Sequence, residues 1–241
     1  MINDPSLLTL PDASELPDSD DTPVDNELQI LVPTLLYLIL NQQWKAREDW
    51  FFGVNMGIYH NTGRNPRIPI VPDGFLSLGV PRRQGLYGRS SYIVWLENNI
   101  PPIFVLEYVS KTYGGEYEGK SNPKYTPKMA EYAKLGVLYY AIYNPQYYQR
   151  DQHEPLEVYR LENGRYQRQA GEPIWMEELG LGIGRENGTF QTWQREWLFW
   201  FDEAGKRYLS PEEIILQQEQ RSQRLTELLR EKGINSDELL G

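Results

Sequence analysis

Glu107 stands in the middle of one of the most apolar runs of the chain, Ile103-Phe104-Val105-Leu106-Glu107-Tyr108-Val109-Ser110. Such a run reads as a strand buried on both faces. An ionised carboxylate there is costly unless a cation meets it. A second acid, Asp73, ends another apolar run, Ile68-Pro69-Ile70-Val71-Pro72-Asp73-Gly74. Downstream, Lys128 lies in a segment patterned as a helix. Two carboxylates on neighbouring strands with a lysine nearby suit a hard divalent metal, because Mg²⁺ takes oxygen ligands and keeps several waters. Asp73, Glu107 and a backbone carbonyl near Tyr108 make such a half-shell. A metal held there lowers the pKa of a water and stabilises charge on a phosphoryl oxygen. A nearby lysine orients that water or offsets the developing charge. Phosphodiester hydrolysis needs these parts and little else.

Each residue also has a plainer reading. Pro72-Asp73-Gly74 is an ordinary turn signature. Glu107 equally suits a structural ion pair with a core Arg or Lys. Lys128 suits a solvated helix position, and Lys120, Lys124 and Lys134 compete for its role. Other chemistries fit less well. His60 and His153 match no zinc spacing, and the chain has no Gly-x-Ser-x-Gly elbow and no Walker loop. Gly180-Leu181-Gly182-Ile183-Gly184 lacks the Lys-Ser/Thr of a phosphate loop and reads as a turn between short elements.

The elements that must position these residues follow from periodicity. A helix is predicted from Pro33 to about Trp50, with Leu36, Leu40 and Trp44 at i, i+4 spacing and Pro33 in its first turn. Strands follow over Phe52 to His60, Arg67 to Leu78, Ser91 to Glu97 and Ile103 to Ser110. Lys111 to Pro127 reads as a loop. A helix capped near Thr126 runs from about Pro127 to Leu135 and stops at Gly136. Val137 to Tyr143 is a further strand, so the Glu107 strand, the Lys128 helix and this strand form a βαβ-like unit. Leu156 to Leu161 and Arg165 to Gln169 flank Glu162-Asn163-Gly164, a hairpin signal. The aromatic region that follows, through Phe201, reads as irregular, and its Trp and Tyr residues as core or dimer packing. Ser210-Pro211-Glu212-Glu213 opens a last helix ending near Lys232. This order describes an α/β protein built on a mixed sheet.

The 241 residues are enough for one sizeable domain. With 0 Cys there is neither a disulfide framework nor thiolate chemistry. No run approaches the roughly 20 apolar residues of a membrane span, and no secretory signal is visible, so a cytoplasmic protein without membrane contact is expected. The net charge of -10 argues against nucleic acid as a partner, but its distribution weakens the objection. Residues 1–27 hold eight acids and no Lys or Arg, and read as a disordered tail. The C-terminal helical tail, 210–241, is also acidic. The body, 28–209, is close to neutral and can carry a local basic patch. In the last helix, Gln217 to Arg224 is polar all round, which excludes it from a core. That helix projects, and with Leu225, Leu228 and Leu229 it offers a homodimer contact.

Several segments together resemble the Uma-two family of restriction-endonuclease-like proteins, within the PD-(D/E)xK nuclease superfamily. They are Ile58-Tyr59-His60, Val71-Pro72-Asp73-Gly74-Phe75 with Gly79-Val80, Ser91 to Glu97, Phe104 to Ser110, Lys128-Met129-Ala130-Glu131-Tyr132-Ala133, and Gly136 to Tyr140. Arg224 to Arg230 with Gly233-Ile234 resembles the helix that often closes these proteins. The resemblance covers about residues 30–235. It implies a restriction-endonuclease-like core, a central mixed sheet flanked by helices, and an Mg²⁺- or Mn²⁺-dependent endonuclease acting on DNA. Asp73 and Glu107 would be its metal ligands. In the common superfamily pattern the lysine stands two residues after the second acid. Here that position is Val109, and the lysine shifts to the following helix, at Lys128. The loop from Gly114 to Pro127 is longer than usual for the family, which leaves Lys120 and Lys124 as alternatives and brings Glu116 within reach. A second outcome is a nuclease fold without catalysis, serving as a nucleic-acid-binding or protein-interaction module.

Overall fold

The strand that carries Glu107, β5 (Phe104–Tyr108), is buried along its whole length. It lies in the interior of a six-stranded sheet of order β1-β3-β5-β6-β7-β8. The other members are β1 (Trp50–Val54), β3 (Gly74–Leu78), β6 (Tyr139–Tyr143), β7 (Leu156–Glu162) and β8 (Arg165–Arg168). β5 and β6 run parallel and every other neighbouring pair antiparallel. The parallel pair needs a crossover, and α2 (Lys128–Leu135) lies in it. The computed structural model describes residues 10–17, 26–62, 65–111, 115–117 and 127–232.

The pleat sends alternate side chains to opposite faces. Phe104, Leu106 and Tyr108 join a core beneath α1 (Leu28–Gln43), whereas Val105 joins a second core with Met129, Tyr132 and Leu135 of α2. Glu107 shares the face of Val105. α1 begins five residues before the expected start, so Pro33 lies inside it. The Asn26 side chain accepts the Leu28 N–H at 2.9 Å, and Leu28, Val32, Leu35, Leu36 and Ile39 extend the buried stripe toward the N-terminus. The helix ends at Gln43, and Trp50 belongs to β1. The strand expected over Phe52 to His60 breaks at Asn55 (φ 46°), and its second part, β2 (Ile58–Tyr59), pairs in parallel with β4 (Tyr92–Ile93).

Pro33 packs directly over the start of β3. A Cβ added to Gly74 would lie 2.8 Å from the Pro33 Cβ, so this glycine admits the helix next to Asp73. Gly74→Ala is expected to destabilise the protein by about 1–3 kcal/mol through overpacking, as read by urea unfolding. Wild-type stability in that variant would show that α1 gives way freely.

The aromatic region is regular rather than irregular. β9 (Ile174–Met176), β10 (Leu181–Phe190) and β11 (Trp193–Phe201) form a three-stranded antiparallel sheet in the order β11-β10-β9. Trp197 to Phe201 are buried in the α1 core. The glycine-rich run is accordingly no turn beyond Gly180. Gly182 and Gly184 lie inside β10, where a Cβ on Gly184 would lie 3.1 Å from Pro173 and Phe201, a tight contact. The Asn163-Gly164 hairpin forms as expected, with φ of 50° and 78°. Gly136 ends α2 at φ 86°. A short helix, α3 (Tyr148–Asp151), precedes β7.

Within the N-terminal acidic segment, residues 10–17 pack on the body. Leu16 is buried, the Tyr59 hydroxyl donates to the Pro17 carbonyl at 2.7 Å, and the Trp95 indole donates to the Pro11 carbonyl at 3.0 Å. At the other end, Ser210 and Glu213 form a capping box that starts α4 (Pro211–Glu231). None of its residues is buried, and Leu225 and Leu228 are exposed. No helix among the described residues is long and apolar enough to cross a membrane.

Candidate metal centre

Asp73 immediately precedes β3, and the antiparallel register pairs Gly74 with Leu106. One step further sets Asp73 opposite Glu107. Directly opposed residues share a sheet face, so both carboxylates rise on the side covered by α2. Both are buried, at 7% and 1% exposure. The Asp73 carboxylate accepts the Tyr108 N–H at 2.5 Å, which locks the turn before β3 to the end of β5.

α2 supplies the remaining partners. Lys128 Nζ lies 2.7 Å from Glu107 Oε2, and one helical turn later the Tyr132 hydroxyl donates to Glu107 Oε1 at 2.6 Å. Residues four apart share a helix face, and that face meets Glu107. Glu116 is also buried, with its carboxylate 4.0 Å from Lys128 Nζ and its carbonyl accepting the Tyr140 hydroxyl at 2.9 Å. The Lys128 side chain is 28% exposed, so the cluster opens to solvent along it. Lys134 lies elsewhere, exposed and paired with Glu131 at 3.7 Å. Lys120 and Lys124 lie outside the described residues, as does Thr126; α2 is preceded by Pro127 without a side-chain cap.

The electrostatics follow from burying more negative than positive charge. Burial pushes the Asp73 carboxyl up to about 8, and the Glu107 charge adds to the rise against the pull of Lys128. Burial raises Glu107 as well; Lys128 opposes this and Glu116 reinforces it. Burial works against the charge of Lys128, but Glu107, Asp73 and Glu116 outweigh it and hold the ammonium above the ordinary lysine value. Burial and the Glu107 charge keep Tyr132 protonated as a donor.

The donor set fits a hard divalent ion. It is all oxygen, and one ammonium faces three carboxylates. Both Glu107 oxygens already accept one hydrogen bond, and each keeps a second lone pair. Among the described residues no three His, Asp or Glu side chains gather as a metal site. An ion held by Asp73 and Glu107 would therefore keep most of its waters, as Mg²⁺ does.

Tyr132 as a partner of Glu107 was missed in the sequence, although its i+4 spacing from Lys128 was a usable signal. A second buried acid, Glu157, was also missed. It accepts from the Tyr159 hydroxyl at 2.5 Å and from the Glu154 N–H at 3.2 Å, and lies 3.3 Å from a His153 ring nitrogen. The His153 ring stacks on Tyr117 at 3.6 Å, beside Glu116. No local pattern announces this cluster, because His153 to Tyr159 meets Tyr117 and Glu116 from a separate segment.

No curated protein matches the chain. A crystal structure from Anabaena variabilis ATCC 29413, described as "a putative nuclease belonging to DUF820", is similar over 64% of this chain and 72% of that one, at 16% identity and a TM-score of 0.38. That likeness is too distant to bear on the site. The Uma2 family model, described as "Putative restriction endonuclease", matches residues 21–189 and so includes Asp73, Glu107, Glu116 and Lys128. Matched over most of its length, the chain belongs to the Uma2 family.

Proposed function

We propose that the protein is a metal-dependent endonuclease that hydrolyses DNA phosphodiester bonds at Asp73, Glu107 and Lys128. The observation that carries this reading is the meeting of two buried carboxylates on one sheet face, with a lysine ammonium 2.7 Å from the second. Asp73 and Glu107 would hold Mg²⁺ or Mn²⁺, with a backbone carbonyl near Tyr108 as a further ligand. When bound, the ion polarises the scissile phosphate and lowers the pKa of a water. Tyr132 and Lys128 fix the Glu107 carboxylate in one rotamer by hydrogen bonds to its two oxygens. Lys128 keeps its proton and sets a positive charge where the phosphate gains negative charge. Burial of the two acids keeps bulk water from screening them.

The test is cleavage of supercoiled plasmid in MgCl₂ and MnCl₂, expected for the wild-type chain and absent in EDTA. A chain that binds neither ion and cuts nothing would instead be the binding or interaction module of the same fold. We also propose a homodimer through the exposed apolar face of α4. Leu225→Glu/Leu228→Glu is expected to halve the mass seen by light scattering at micromolar concentration without lowering the melting temperature. A wild-type monomer would exclude the dimer.

A further inference from the structure

We propose that the loop joining β3 to β4 is a nucleic-acid contact, with the Arg83 guanidinium and the Tyr87 hydroxyl on backbone phosphates. This inference rests on the nuclease reading. No Asp or Glu occurs from Phe75 to Leu96, although the chain as a whole is strongly acidic. That stretch holds Arg82, Arg83 and Arg89, and two of the three are spent on bracing the loop.

Arg82 closes one end. Its N–H donates to the Glu48 carbonyl at 2.8 Å, and its guanidinium lies 3.8 Å from the Trp50 ring centre. It also donates to the Tyr37 hydroxyl at 3.2 Å and to Asn41 at 3.1 Å. Arg89 closes the other end. Its side chain is 1% exposed, forks onto the buried Glu97 at 2.6 and 3.1 Å, and donates to the Pro81 carbonyl at 2.8 Å.

Between the braces the residues face outward. Leu86 is 87% and Tyr87 96% exposed. Arg83 is exposed and has no carboxylate partner among the described residues. Gly85 and Gly88 turn the backbone at φ of 57° and 75°. A braced loop presenting a tyrosine hydroxyl and a free guanidinium, with no acid near in sequence, has the chemistry that nucleic acid requires. Arginine neutralises phosphate, and a tyrosine hydroxyl donates to a phosphate oxygen.

The loop is also connected to the metal centre. It lines a groove of about 380 Å³ along the edge strand β1, reaching Val54 and Met56. Those two residues flank Asn55, whose N–H donates to the Asp73 carbonyl at 3.0 Å. β3 separates the loop from Asp73 by five residues, about 17 Å of strand.

The test is fluorescence anisotropy with a labelled 20-base-pair DNA duplex in EDTA, over a range of KCl, on the full chain. Arg83→Ala/Tyr87→Ala is expected to weaken binding by about tenfold or more at an unchanged melting temperature. Arg83→Ala alone should lower the salt slope by about one. A wild-type protein that binds no duplex overturns the inference. So do loop variants that keep wild-type affinity, including the case in which the loop serves a protein partner. If binding depends on the loop but the plasmid is never cut, the inference stands and the nuclease reading falls.

Discussion

Replacing Asp73 by Asn is expected to lower Mg²⁺-dependent cleavage by about 10³-fold or more and to stabilise the metal-free protein at high pH. On the proposed mechanism the first effect follows from losing a charged ligand, since metal assistance is worth several kcal/mol of barrier and each 1.36 kcal/mol is about tenfold in rate. The second follows from linkage. In the folded, metal-free chain Asp73 is raised to about 8 by burial first and by Glu107 second. In the unfolded chain it titrates near the ordinary 3.8. Between these values the folded state holds a proton that the unfolded state has lost, so stability falls as pH rises through that window. Glu107, raised in the same direction, steepens the fall, and the two acids titrate as a coupled pair. Unfolding free energy in EDTA should drop on the order of 3 kcal/mol between pH 5 and 8 in the wild type. In Asp73→Asn it should change much less. Undiminished cleavage in this variant would remove Asp73 from the site. An unchanged pH slope would show that its carboxyl is not held in the protonated form.

Lys128→Met is expected to act on both fold and activity. Lys128 and Tyr132 are the hydrogen-bonding partners of the fully buried Glu107 carboxylate. Removing one partner of a buried pair costs about 3–5 kcal/mol when the other charge persists. Here Glu107 can escape by protonating, because its carboxyl is already raised. The loss should therefore be small at pH 5 and approach about 3 kcal/mol at pH 8. Cleavage should fall by roughly 10²–10³-fold, the usual effect of removing one preorganised electrostatic group. Glu107→Gln/Lys128→Met removes both charges and should regain much of the stability while staying inactive, which separates a structural pair from a catalytic one. Full activity in Lys128→Met, with activity lost in Lys120→Met or Lys124→Met, would reassign the lysine.

Local features were legible in the sequence because they depend on near neighbours. The apolar run around Glu107 could only be an interior strand, since its length and lack of alternation leave no solvent face. Gly136 and Asn163-Gly164 marked chain reversals because they tolerate positive φ. Ser210 with Glu213 marked the start of α4 through their reciprocal hydrogen bonds. The lone acid in β5 announced a partner, because an unpaired buried charge is too costly to keep.

Tertiary structure decided which partner. Nothing within a few residues of Asp73 states that it faces Glu107; the register between β3 and β5 does so. Lys128 and Tyr132 reach Glu107 because the β5-α2-β6 crossover lays one helix face over that end of the sheet. Glu116 joins them from a connecting segment without periodicity of its own. The aromatic residues of β10 and β11 looked irregular because the pairing of a long hairpin and its packing on α1 are non-local. Periodicity and turn chemistry arise from interactions a few residues apart, which the sequence by itself carries. The charge balance of a buried site arises from residues tens of positions apart, and only the folded sheet and its crossing helix bring them within hydrogen-bond distance.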